Sequence, residues 1–148
     1  SGCRHNHDPP RPPPPFDNDR DGAVFWFKPY KFASVFENTL GKGYFTEKLF
    51  NAVLARAVPV YWGSREIFER LEINEAAVVW CEEGEDGAFA ACIAEIERLD
   101  GDDEAWMRKV SEPIFAGNRL PRWMTWEPVT ERLVEVLGLA ELAETGRT

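Results

Sequence analysis

The stretch YKFASVFENTLGKGYFTEKLFNAVLARAVPVYWGS, residues 30–64, decides the fold. Its first part, Lys31-Phe32-Ala33-Ser34-Val35-Phe36, is rich in residues that suit a pleated strand and lies between Pro29 and a glycine loop, so it predicts a strand. The loop is Leu40-Gly41-Lys42-Gly43-Tyr44-Phe45. Thr46 is placed to cap a helix in which Leu49, Phe50, Val53, Leu54 and Ala57 recur at helical spacing. Val58-Pro59-Val60-Tyr61-Trp62 reads as a second strand ending at Gly63-Ser64, with Pro59 at its start or at a sheet edge, because proline donates no ladder hydrogen bond.

The alternation continues downstream. A short helix is expected over Glu66 to Leu71, and a strand over Ala76-Ala77-Val78-Val79-Trp80. An amphipathic helix follows over Ala88 to Leu99, with Phe89, Cys92, Ile93 and Ile96 on one face. Asp102 and Asp103 open another helix, and Pro128 sits in the first turn of a last one carrying Leu133, Val136 and Leu137. Strand and helix alternating in units of this length predict an α/β fold, a parallel sheet covered by helices. Upstream, six of the eleven prolines fall within the first fifteen residues, followed by an Asp/Asn/Gly stretch with little to bury. Residues 1–22 therefore read as a Pro-rich linker or insertion, and residues 23–148 as the globular part.

One domain suits 148 residues. No apolar run reaches the roughly 18 residues of a membrane span. With 26 acidic against 17 basic side chains, the net charge of -9 argues against nucleic acid or an anionic membrane surface as partner. The excess is local: residues 64–112 hold 15 acidic and 5 basic side chains, whereas residues 28–48 carry four Lys against two Glu. Three cysteines without a C-x-x-C spacing indicate neither a disulfide framework nor a zinc site. Cys3, His5 and His7 read as a polar tail, Asp17-Asn18-Asp19 as linker, and no metal site is expected.

Chemistry concentrates at the loop and at the start of the helix after it. A strand that leaves the sheet into Gly41-x-Gly43 and returns as a helix presents free N–H groups at the carboxyl edge of the sheet, where open α/β folds bind ligands, and anions above all. Lys48 in the first turn opposes the helix dipole, which is easier to understand with an anion beside it. Glu47 can accept hydrogen bonds from sugar hydroxyls, Tyr44 adds an aromatic face and a hydroxyl, and Asn38 offers a donor and an acceptor at the strand end. Each also has a plain structural reading: Asn38 as a turn residue, Thr46 as a cap, Glu47 as a first-turn acid. Neither the G-x-G-x-x-G fingerprint nor the G-x-x-x-x-G-K-[ST] loop is present.

Taken in order, Tyr30-Lys31-Phe32, Phe36-Glu37-Asn38-Thr39, Gly43 to Leu49, Asn51-Ala52 and Val58 to Ser64 resemble the signature of the α1,3-fucosyltransferases, glycosyltransferase family 10. Weaker similarity continues through Ala77 to Trp80 and Asp103-Glu104-Ala105-Trp106, and Ser1-Gly2-Cys3-Arg4 resembles an upstream element. The resemblance implies a Rossmann-like parallel sheet with helices on both faces, the carboxyl-terminal half of a GT-B enzyme that binds GDP-fucose. It implies a glycan acceptor held by an amino-terminal domain absent from this chain, and inverting transfer, in an α1,3 linkage, in protein glycosylation. Position by position, Lys48 would neutralise the diphosphate, Asn38 and Tyr44 would hydrogen-bond around it, and Glu47 would hold ribose or fucose hydroxyls and stabilise the cationic transition state. Glu37 and Thr46 belong to the same substrate-binding set. Glu47 and Lys48 are the expected catalytic residues.

No metal or cofactor is required by that chemistry. The general base would lie in the amino-terminal domain, and Arg4, Arg11 and Arg20 are the only upstream candidates for an arginine that assists the leaving phosphate. Relatives of this kind are Golgi type II membrane proteins in eukaryotes and cytosolic or peripheral in bacteria. Two other readings stand beside the enzyme fragment, whose isolated chain is expected to turn over little. One is a non-catalytic remnant that binds nucleotide, or a partner through Pro9 to Pro15; the other is a plain α/β interaction domain. Trp80, Trp106, Trp123 and Trp126 read as packing residues; Trp62, whose loop is expected to lie close to the nucleotide, reads as a packing residue ahead of a base-stacking one.

Overall fold

Three short strands carry the apolar runs of the sequence, and all three lie parallel. Strand β1 (Phe32–Ser34) pairs with β2 (Val58–Tyr61) in the register Phe32 to Val58, Ala33 to Pro59 and Ser34 to Val60. Strand β3 (Val79–Trp80) joins the other side of β2, Val60 to Val79 and Tyr61 to Trp80. The computed structural model describes residues 19–82 and 88–138. Its helices are α1 (Asp19–Phe27), α2 (Lys48–Leu54), α3 (Arg65–Arg70), α4 (Ala88–Asp100), α5 (Asp103–Val110) and α6 (Glu127–Val136).

Period-two alternation divides the core between the two sheet faces. Ala33, Val35 and Tyr61 meet Leu49 and Ala52 of α2 and Phe68 of α3. Val58, Val60 and Val79 meet Cys92 and Leu99 of α4 and Ala105 of α5. Helices therefore cover both faces, and the middle strand is buried along its whole length, the condition of a parallel sheet. The fold is α/β and Rossmann-like, as expected. Leu49, Phe68 and Leu99 are almost fully buried, each contributing roughly 1.5–3 kcal/mol of transfer free energy. Lys31 fastens the start of β1 to α5: its Nζ donates to Asp103 Oδ1 at 2.6 Å and to the Asp100 carbonyl at 3.2 Å. The Trp106 indole donates back to the Lys31 carbonyl at 3.0 Å.

Several local expectations are corrected. Pro59 sits inside the middle strand, not at a start or an edge. Val58 N and Val60 O bond toward β1, so the missing donor at Pro59 faces β3, whose pairing begins one residue later at Val60. Residues 75–77 form a 3-10 turn capped by Asn74, which accepts from Ala76 N at 3.0 Å and shortens the strand expected there. Helix α1 begins at Asp19, within the stretch assigned to linker. On α4, Cys92 and Leu99 are buried, whereas Phe89 and Ile93 are 42% and 52% exposed. Trp126, read as a packing residue, is 81% exposed, and Leu133 and Val136 of α6 and Leu137 just after it are exposed too. Cys81 and Cys92 form a disulfide that ties the end of β3 to α4, a link that cysteine spacing did not indicate. The Pro-rich tract, Cys3, His5 and His7 lie outside the described residues.

Candidate functional site

The carboxyl end of β1 continues in register after the strand proper: Val35 N donates to Val60 O and Glu37 N to Trp62 O, both at 2.9 Å. Alternation holds along this extension, with Val35 and Glu37 buried and Phe36 and Asn38 exposed. A core position thus carries a carboxylate, which is costly unless it is hydrogen-bonded. Glu37 Oε1 accepts from the Thr46 amide at 3.0 Å and from the Tyr61 hydroxyl at 3.3 Å, and Oε2 accepts from the Thr46 hydroxyl at 2.8 Å.

This network explains why Thr46 is not the cap of α2. Its hydroxyl is spent on Glu37, the helix begins at Lys48, and Glu47 occupies the capping position without a side-chain cap bond. Between strand and helix, Tyr44 N donates to Gly41 O at 3.0 Å, closing a turn in which Gly43 has φ +75. That left-handed conformation suits glycine, and Tyr44 after it is half-buried. Burial, together with the charge of Glu37, pushes the Tyr61 hydroxyl well above its ordinary range.

Lys48 reaches from the first turn of α2 across the end of β1. Its Nζ donates to the Phe36 carbonyl at 2.8 Å and to Asn38 Oδ1 at 2.7 Å. Both partners are neutral oxygens, and among the described residues no carboxylate pairs with this ammonium. An ammonium has three donors, so one N–H remains for a ligand. Glu47 is exposed beside it. The seven residues of α2 make a weak dipole, so the positive charge at the start of this helix is that of the Lys48 side chain more than of the helix itself. Of the expected residues, the fold brings Asn38 and Lys48 into contact, sets Glu47 next to them, and locks Glu37 and Thr46 to each other beneath them.

Arg65, which sequence reasoning passed over, also stands at the carboxyl edge, on the first turn of α3. It lines an open cleft of about 360 Å³ with Leu40, Trp62, Gly63, Trp80 and Glu82. Its guanidinium lies 4.4 Å from the centroid of the Trp80 ring and is paired with Glu75 at 2.9 Å and Glu82 at 2.7 Å. The hydrogen bond to Glu82 is the first cause of its raised pKa. Two carboxylates already hold this cation, whereas Lys48, and Lys42 in the exposed loop before it, have no carboxylate partner among the described residues. Arg4 and Arg11 lie outside the described residues, and Arg20 belongs to α1. Trp62 is half-buried and meets Phe36, ring centroids 6.4 Å apart.

A cation held by neutral oxygens beside an exposed carboxylate suits a ligand that joins phosphate to hydroxyl groups. Comparison with known proteins finds fucosyltransferases. The chain is 34% identical over 105 residues to the human GDP-fucose protein O-fucosyltransferase 3, covering 70% of this chain and 21% of that protein. It is 50% identical over 38 residues to an α1,3-fucosyltransferase of Helicobacter pylori, covering 26% of this chain and 8% of that one. A crystal structure of an α1,3-fucosyltransferase with GDP aligns with a TM-score of 0.53 at 30% identity, over 61% of this chain and 25% of that chain. One with GDP-fucose aligns with a TM-score of 0.55 at 27% identity, over 66% and 30%. The chain thus spans about a fifth of the human relative's length. The profile described as glycosyltransferase family 10 (fucosyltransferase) C-term matches residues 13–108, and the chain belongs to that family.

Proposed function

We propose that this chain supplies the donor site of a fucosyltransferase that takes GDP-fucose and delivers L-fucose to a glycan hydroxyl with inversion, in an α1,3 linkage, in protein glycosylation. The observation that carries the reading is the Lys48 ammonium, fixed by Phe36 O and Asn38 Oδ1 and free of any described carboxylate. Lys48 faces the diphosphate, Asn38 and Tyr44 bond around it, and Glu47 accepts from ribose or fucose hydroxyls. As the bond between the anomeric carbon and the β-phosphate oxygen breaks, negative charge grows on that oxygen and oxocarbenium character on fucose. Lys48 stabilises the first and Glu47 the second, and such preorganised groups typically give a hundredfold or more in rate. The acceptor hydroxyl forms the new bond and yields its proton to a carboxylate base outside this chain. No metal takes part.

Calorimetric titration of GDP and GDP-fucose into wild type and Lys48→Ala tests the reading. Binding to wild type, weakened about tenfold or more in the variant, is expected, as for loss of a charged hydrogen bond. No binding to wild type overturns it. A transfer assay separates this reading from a nucleotide-binding remnant: the 148-residue chain is expected to turn over near background, and transfer is expected once an acceptor-binding portion is joined to it. The buried Cys81–Cys92 disulfide supports folding in an oxidising compartment, as on the route to a Golgi membrane. Among the described residues no helix is long and apolar enough to cross a membrane.

A further inference from the structure

We propose that Glu37 is a positioning residue for Lys48, a buried carboxylate that holds the start of α2 so that the ammonium meets the donor. The proposal rests on the reading of Lys48 given above. Glu37 is only 3% exposed and its two oxygens face Thr46 and Tyr61, so its work lies beneath the site and not in contact with a ligand. Residues 36–38, which follow β1, grip α2 from two sides. Glu37 points inward and takes both donors of Thr46, two residues before Lys48. Its neighbours Phe36 and Asn38 take the Lys48 ammonium on the outer side.

Each anchor needs the other. Lys48 is a long, flexible side chain, and holding it in one geometry costs rotamer freedom. Two neutral acceptors fix its tip only if its backbone is fixed as well. The Thr46 amide bond to Glu37 supplies that second anchor, and the bond from Tyr61 ties the carboxylate in turn to the middle strand. An apolar residue at position 37 would satisfy the core at least as well in transfer terms, yet would leave the Thr46 amide and hydroxyl without these acceptors. The buried acid is thus better explained by what it holds than by burial itself.

The test is a double-mutant cycle on the 148-residue chain with Glu37→Gln, Lys48→Ala and the pair, reading GDP affinity by calorimetry and folding by thermal melting. Glu37→Gln alone is expected to weaken GDP about tenfold, equal to about 1.4 kcal/mol. In the Lys48→Ala background it is expected to lower the melting temperature again but to cost no further GDP affinity. Equal losses of affinity in both backgrounds, or none in either, overturn the proposal, because a purely structural carboxylate acts the same with or without Lys48. Nuclear magnetic resonance reads the clamp without nucleotide. The Thr46 amide is expected to be protected from exchange and the Lys48 ammonium protons visible in wild type, with both lost in Glu37→Gln. If wild type fails to bind GDP, the donor-site reading falls, and these two signals alone decide the clamp; their absence from wild type overturns it. Should Glu37→Gln fail to fold, Thr46→Val removes only the hydroxyl bond and is expected to weaken GDP a few-fold in the same Lys48-dependent way.

Discussion

Lys48 Nζ and Asn38 Oδ1 lie 2.7 Å apart, joining the first residue of α2 to the fourth residue after β1, across the carboxyl edge of the sheet. The contact makes the two residues one device. Asn38→Ala is expected to weaken GDP a few-fold while leaving the melting temperature within a degree or so, since Asn38 is exposed. Asn38→Asp is expected to weaken it further, because a carboxylate at that point neutralises the ammonium and repels phosphate. Calorimetry on the two variants checks both; tighter binding by Asn38→Asp rules out this role for the pair.

Gly63 is required by its neighbour. A Cβ there would lie 2.6 Å from ring atoms of Tyr61, which is fully buried against Phe68 and Trp80 at centroid distances of 4.9 and 5.5 Å. The ring has no room to swing. Gly63→Ala is expected to cost about 1–3 kcal/mol, as overpacked cores do, and to loosen the Tyr61 bond to Glu37. Denaturant melts give the stability loss, and an unchanged midpoint counts against it.

Alkaline stability follows from Tyr61. Its hydroxyl titrates near 10 in an unfolded chain and well above that when folded, through burial first and the charge of Glu37 second. Because the folded pKa is raised, this contribution is intact below about pH 10 and is lost as pH rises beyond it toward the folded value. Thermal melts from about pH 8 to about pH 11 should fall more steeply for wild type than for Tyr61→Phe. Parallel curves would remove Tyr61 from the alkaline limb.

At the acid end, Asp102 caps α5 by accepting from Ala105 N at 2.9 Å, and that backbone bond is the first cause of its lowered pKa. A lowered carboxylate pKa contributes stability above the unfolded value and loses it as pH falls through the folded one. Asp102→Asn keeps an acceptor but does not titrate. Its melting temperature is expected to depend less on pH below about 4 than that of wild type.

The Cys81–Cys92 disulfide closes a loop across a sequence separation of 11, with both cysteines buried. Removing it by Cys81→Ser with Cys92→Ala is expected to cost about 2–4 kcal/mol. Melts with and without reductant check this: wild type should lose stability once reduced in the unfolded state, whereas the double variant should not respond.

Much of this was legible in residues 30–64 because local rules act there without competition. Period-two and helical spacing place both strands and α2 between them, and the order of Asn38, Tyr44, Glu47 and Lys48 marks the family and groups the residues of the candidate site. A helix opened at Asp102-Asp103 and Pro128 in the first turn of α6 are local readings too, and the structure has α5 begin at Asp103 and Pro128 in the first turn of α6. Misreadings arose where a distant partner overrode a local preference. Thr46 has the chemistry of a cap, but a buried carboxylate nine residues earlier binds it more strongly than the helix does. Pro59 looks like an edge residue until the pairing of β3 shows that no donor is needed at that level.

The sequence by itself determined the order of elements, the parallel sheet and the family, because apolar periodicity and signature spacing are written along the chain. Only the tertiary structure decided which polar groups meet: Lys48 with Asn38, Glu37 with Thr46 and Tyr61, Arg65 with Glu75 and Glu82, Cys81 with Cys92. Hydrogen bonds, ion pairs and disulfides depend on distances of a few ångströms between residues far apart in the chain, and packing alone fixes those distances.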